Sequence, residues 1–175
     1  KTNSNAYYDS ALLMEIDLKT NTTVQYDKIH FPDIYYNNCW QNRLVSFSMV
    51  YNPKTKKFIF NFPVSHNTYV FNPINNKLRK NNTSSKYMTN SIEPMKCNTI
   101  DDKKRRSYLL SKSYYYKSIY DPYREVYYRI VKRGISEEKA IELSDNYYAN
   151  HAIPFNIMIL DKDFKVIGET NFPPN

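Results

Sequence analysis

Hydrophobic and polar positions alternate along much of this chain at the two-residue period of half-buried strands, and turn-forming clusters separate the alternating runs. Leu44 to Tyr51 (LVSFSMVY) runs into Asn52-Pro53-Lys54-Thr55-Lys56. Lys57 to Phe62 returns, a short loop leads to Thr68 to Phe71, and Asn72-Pro73-Ile74-Asn75-Asn76 leads into Lys77 to Lys80. The same order recurs downstream: Ser113 to Tyr120, the turn Asp121-Pro122-Tyr123-Arg124, Glu125 to Lys132, a longer insert, Phe155 to Leu160, the turn Asp161-Lys162-Asp163, and Phe164 to Thr170. Upstream, Ala11 to Asp17 and Thr22 to Ile29 flank Lys19-Thr20-Asn21 as a single hairpin, and residues 1–10 read as a frayed or linking segment.

A four-strand antiparallel unit that occurs twice is the blade unit of a β-propeller. The expected fold class is therefore all-β: a partial β-propeller of four-stranded meander blades forming a single domain over residues 1–175. It has one half-blade (11–29) and two blades (44–80 and 113–170), the second carrying a helical insert at about 136–148. A ring closes with about four blades or more, so the pattern also predicts a piece of a longer protein, or a chain that pairs to cover its open edges.

The insert has clear helix signals. Ser136 suits the N-cap, Glu137 and Glu138 suit the first turn, Ile135 and Ala140 flank the cap as a hydrophobic staple, and Pro154 bars continuation. The polar link 81–112 contains a second segment, Lys103 to Leu110, that reads as a short helix or an irregular strand.

Composition sharpens this picture. Eighteen Tyr and nine Phe suit pleated surfaces, while only two Gly leave the turns to Asn, which tolerates left-handed backbone. So few glycines exclude a phosphate-cradling loop, and no apolar run approaches the roughly 20 residues of a membrane-spanning helix. The formal net charge of +8 reads mainly as a solvated lysine-rich surface. The alternative is polyanion binding through Lys77, Arg79, Lys103, Lys104, Arg105 and Arg106, although no nucleic-acid motif accompanies them. Cys39 and Cys97 fit no zinc or redox spacing; they read as two free thiols, with a bridge open to them in an oxidising compartment.

In a four-strand meander, the loop between the second and third strands lies at the same end as the links between blades. That rule places all three histidines, His30, His66 and His151, at one end. The candidate ligand-binding residues there are Trp40, His66, Asn67, Tyr147, Asn150 and His151. No catalytic or metal-ligating residue is assigned and no cofactor is expected. Asp161 and Asp163 lack the further acids and glycine of a calcium loop, and Glu137, Glu138 and Glu142 read as a solvated helix face.

Ser118 to Ile130 (SIYDPYREVYYRI) together with Phe155 to Thr170 (FNIMILDKDFKVIGET) resembles a family of TolB-like, six-bladed β-propeller lipoproteins of Bacteroides-type bacteria, domain of unknown function 4221. The resemblance covers residues 40–175, the later half of such a protein. It implies a six-bladed ring, a lipid-anchored parent chain and a periplasmic or outer-membrane surface location in a Gram-negative bacterium. It implies no catalytic residues. The expected role is a non-enzymatic binding or scaffold module for a protein, peptide or glycan partner. A metal-dependent hydrolase or lyase is the enzymatic alternative. Nucleic acid is not an expected partner, the membrane enters only through the lipid anchor, and self-association would cover open blade edges.

Overall fold

The computed structural model describes residues 5–88, 92–98, 101–146 and 153–173. Ten strands form three antiparallel sheets among these residues. β1 (Met14–Asp17) and β2 (Thr22–Gln25) make a hairpin. β3 (Ser48–Asn52), β4 (Lys57–Asn61), β5 (Asn67–Asn72) and β6 (Lys77–Asn82) form a four-stranded sheet in chain order. β7 (Tyr114–Asp121), β8 (Val126–Lys132), β9 (Phe155–Leu160) and β10 (Val166–Phe172) form another, again in chain order. The chain is thus all-β in the expected two-, four- and four-stranded units, and the sheets do not close into a barrel.

One turn device shapes the five tight turns β1–β2, β3–β4, β5–β6, β7–β8 and β9–β10. The Oδ1 atom of the last Asn or Asp before each turn accepts backbone N–H bonds from residues two to four ahead: Asp17 from Lys19 (2.8 Å), Asn52 from Lys54 (3.0 Å), Asn72 from Ile74 (3.0 Å), Asp121 from Tyr123 (2.9 Å) and Asp161 from Asp163 (2.9 Å). Each turn then passes through one left-handed residue: Asn21, Lys56, Asn76, Glu125 or Phe164. Asn fills this role twice. Lys56, Glu125 and Phe164 adopt it despite larger side chains, and the side-chain bonds at the turn entry offset part of that strain.

Among the described residues, three short α-helices decorate the sheets: α1 (Asn5–Asp9), α2 (Asp102–Ser111) and α3 (Glu137–Leu143). α1 corrects the expectation of a frayed start, because Tyr8 is fully buried against Phe31, Tyr35 and Tyr36. α2 resolves the ambiguous link segment as a helix capped by Asp101. α3 begins as expected, with Ser136 Oγ accepting from the Lys139 N–H, but it ends at Leu143 rather than 148. Ile135 and Ala140 share a small cluster with Leu110, Leu143 and Ile153 that holds α3 against α2. Gly134 makes this approach possible, since a Cβ there would stand 2.1 Å from the Ser111 carbonyl oxygen.

Strand parity sorts the core into two layers. Phe58, Phe60 and Phe62 share one face of the β3–β6 sheet with Tyr69 and Phe71, and meet Tyr26, Phe31 and Phe47 from the N-terminal part. Ile59, Asn61, Thr68 and Val70 point the other way, toward the β7–β10 sheet. That sheet answers with Tyr127, Arg129 and Val131 on β8 and Asn156, Met158 and Leu160 on β9, all buried.

Cys39 and Cys97 form a disulfide, which corrects the reading of two free thiols. The adjoining Met95 N–H donates to the Cys39 carbonyl at 2.9 Å, so the bridge reinforces an existing backbone contact.

Candidate functional site: an inter-sheet cleft

The two four-stranded sheets face each other through different chemistry at their two ends. At the histidine end, the Arg129 guanidinium is fully buried. Its Nη1 donates to the carbonyls of His66 (2.8 Å) and Thr83 (2.9 Å) and to Thr83 Oγ1 (2.6 Å), and its Nη2 donates to the Ser65 carbonyl (2.7 Å). Nε donates to Asn61 Oδ1, and the guanidinium lies 3.3 Å from the Tyr115 ring centre. No carboxylate pairs with it among the described residues; carbonyls and an aromatic face carry the charge. Burial pulls its pKa down to about 9, still above neutrality, so it remains a cation at pH 7.

Tyr115 links this cation to His66. Its hydroxyl accepts from the Ser85 N–H (3.1 Å) and is hydrogen-bonded to His66 Nδ1 at 2.8 Å. Burial first, and Arg129 second, push the His66 pKa below the ordinary value. Nearby, the Glu169 carboxylate accepts from the Ser85 hydroxyl, the Lys86 N–H and the Asn156 amide.

These contacts show where the sequence-derived candidates lie. His66 and Asn67 sit together at the edge of the Arg129 network, where the Asn67 carbonyl is a long 3.4 Å acceptor. Trp40 is not brought to them. It is only 6% exposed and packs against Tyr35 in the core, which corrects its placement on a binding face. Tyr147, Asn150 and His151 lie outside the described residues. His30 is exposed, with Nδ1 2.9 Å from the Phe31 carbonyl oxygen. Among the described residues, no three His, Cys, Asp or Glu side chains are grouped to hold a metal.

The opposite end is open. The sheets part there into a cleft of about 540 Å³ beneath the hairpin turns. Tyr127 and Phe164 stack at 4.8 Å on its floor, with Tyr120 4.9 Å from Tyr127. Asn52 joins the sheets by donating from Nδ2 to the Tyr127 hydroxyl at 2.6 Å. Lys54 and Glu125 form an ion pair across the mouth, and Lys54, with Lys162 as a lesser cause, holds the Glu125 carboxyl below its usual pKa. Beyond that pair, Lys57, Lys77, Arg79 and Lys162 line the cleft against Asp163 as the one remaining acid, and none of the four cations makes an ion pair among the described residues. Arg79 stands over the Phe164 ring at 5.9 Å.

Sequence reading named Lys77 and Arg79 as a basic cluster but grouped them with Lys103 to Arg106. The structure separates the two. Lys103 pairs with Asp145, and Arg106 donates to the Ser144 carbonyl, so that cluster helps to join α2 to the end of α3.

Comparison with known proteins adds the following. No curated protein matches the chain. The crystal structure of a member of the DUF4221 family from Bacteroides vulgatus ATCC 8482, at 1.75 Å resolution, is similar to it with a TM-score of 0.76 and 24% sequence identity. The match covers 97% of this chain and 46% of that one, so this chain spans about half the length of the solved relative. The family model described as a domain of unknown function, DUF4221, matches residues 2–171. This chain belongs to the DUF4221 family.

Proposed function

We propose that this chain is part of a non-enzymatic, extracytoplasmic binding module, built as one half-blade and two blades of a β-propeller, that holds its partner in the cleft between the two four-stranded sheets. One observation carries this reading: a concave site intrinsic to two successive sheets gathers four cations without ion-pair partners among the described residues over an aromatic floor. The volume lies within the roughly 300–1,000 Å³ of small-ligand sites. The Cys39–Cys97 bridge supports an oxidising compartment, in keeping with a parent chain anchored by lipid outside the cytoplasm.

The reading moves the binding surface away from the histidine end. There Trp40 is core and His66 is already engaged by Tyr115. The test is retention of the chain on an array of neutral glycans, acidic glycans and acidic peptides, repeated with Arg79→Glu and His66→Ala. Binding lost with Arg79→Glu and kept with His66→Ala is expected. Binding that ignores Arg79→Glu, or no retention at all, overturns the proposal.

A further inference from the structure

The chemistry lining the cleft narrows the class of ligand. An anion there meets side-chain cations first, because three of the turn N–H groups at the cleft are already occupied. Those of Lys54 and Thr55 donate to Asn52 Oδ1 at 3.0 and 3.1 Å, and that of Ile74 donates to Asn72 Oδ1. Phosphate sites characteristically use clustered backbone amides, and these turn amides are not free to form one. Lys57, Lys77, Arg79 and Lys162 instead supply charges around the rim, which suit a carboxylate as they suit other oxyanions.

The remaining lining is of two kinds. Thr55, Asn72 and Asn75 offer a hydroxyl and two amides, the groups that match ligand hydroxyls. Tyr120 is half-buried beside the Tyr127–Phe164 stack and supplies an aromatic wall for the C–H face of a ring. The cations are spread over β4, β6 and the β9–β10 turn, so a ligand that bridges them spans both sheets.

We infer that the cleft takes a sugar acid, a pyranose-sized ring carrying hydroxyls and one carboxylate, either free or as the terminal residue of a glycan. This inference rests on the binding reading above and specifies its ligand.

The experiment is calorimetric titration of the chain with glucuronate, glucose, inorganic sulfate, an acidic peptide, and a tetrasaccharide ending in glucuronate. Glucuronate is expected to bind roughly tenfold or more tightly than glucose, the worth of one charge-assisted hydrogen bond. The double variant Lys77→Gln/Arg79→Gln should lose that preference. Tyr120→Ala should weaken glucuronate but not sulfate, a readout that general charge loss does not produce. Circular dichroism checks that both variants fold, and Arg79→Lys, which keeps the charge, should retain part of the affinity that Arg79→Gln loses. Tighter binding of the tetrasaccharide assigns the site to a glycan end, whereas equal binding assigns it to the free acid.

Sulfate binding as well as glucuronate, with Tyr120→Ala without effect, overturns the inference and leaves an unspecific anion site. An acidic peptide bound in the Arg79-dependent manner while glucuronate is not bound also overturns it, but keeps the binding reading. Loss of neither ligand on Arg79→Gln overturns both.

Discussion

Arg129 offers the sharpest test of the physical account, because two principles give opposite signs for its replacement. Arg129→Met keeps an apolar chain of similar length and removes the charge. Replacing a buried ionic group by a hydrophobic one is often neutral or stabilising when every polar neighbour leaves with it. Here the neighbours stay. The Ser65 and Thr83 carbonyls and Asn61 Oδ1 each lose the donor they have in Arg129, whereas the His66 carbonyl keeps the Thr83 N–H at 3.1 Å and its hydroxyl at 3.0 Å. Three stranded acceptors at about 1–3 kcal/mol each give about 3–9 kcal/mol. The Tyr115 contact adds about 2 kcal/mol, as a desolvated cation–π pair does. Relief of the buried charge returns several kcal/mol, which leaves a net loss of about 3–5 kcal/mol. Urea unfolding followed by far-ultraviolet circular dichroism would measure it, with the slope compared to confirm that both chains unfold from equally compact states. Arg129→Lys should fall between the two, since an ammonium keeps charge but cannot spread its donors over this fan of acceptors. A Met variant within about 1 kcal/mol of the parent would refute the reasoning, because desolvation would then have cancelled the whole network.

Two further measurements probe other links. Replacing Cys97 by Ser opens a loop of 58 residues and should cost about 4 kcal/mol on the chain-entropy account, read as a lowered urea midpoint that matches the parent chain under reducing conditions; an unchanged midpoint would mean that the bridge constrains nothing. His66 has a folded-state pKa below the 6.5 of the free side chain, so the unfolded chain takes up a proton first, and stability falls as pH drops through 6.5 toward the folded value. His66→Gln should flatten the slope of stability between about pH 7.5 and 5.5, and an identical slope in parent and variant would show that burial and Arg129 do not disfavour the charged ring.

The hairpins were legible because each carries its own instruction. An Asn or Asp at the last strand position, or just after it at Asp161, bonds the turn, and the alternation on both sides fixes which face goes inward. The buried Arg129 was legible in principle by the same parity. Tyr127, Arg129 and Val131 lie two apart on one strand, so a core tyrosine and a core valine commit the arginine between them to the same face. What hid it was the habit of reading arginine as exposed. The disulfide was not legible, because a separation of 58 residues says nothing about spatial approach. Nor was Trp40, since a link between sheets can run through the core when α1 and the Asp33–Tyr35 turn pack over it. The cleft was hidden for a different reason: its residues come from strands and turns that only the facing of two sheets brings together.

The two ends of this interface belong to one design. The sheets are drawn together at the histidine end by Arg129, whose donors reach both loops flanking β5–β6, and by the Tyr115 N–H, which donates to the Pro63 carbonyl at 2.9 Å. At the turn end, the cross-sheet hydrogen bonds among the described residues are the Asn52–Tyr127 contact and the exposed Lys54–Glu125 pair. An exposed pair contributes little to holding two surfaces, so the tight end sets the angle at which the loose end opens. The cleft width then depends on the buried cation together with the buried Asn52–Tyr127 contact, although no atom of Arg129 lines the cleft. A ligand that spans β4, β6 and the β9–β10 turn needs that angle fixed in advance, since ordering two sheets on binding would subtract from affinity. On this argument, Arg129→Met weakens ligand binding in the cleft even under conditions where the variant remains folded, whereas Cys97→Ser, which acts far from the inter-sheet angle, leaves binding intact.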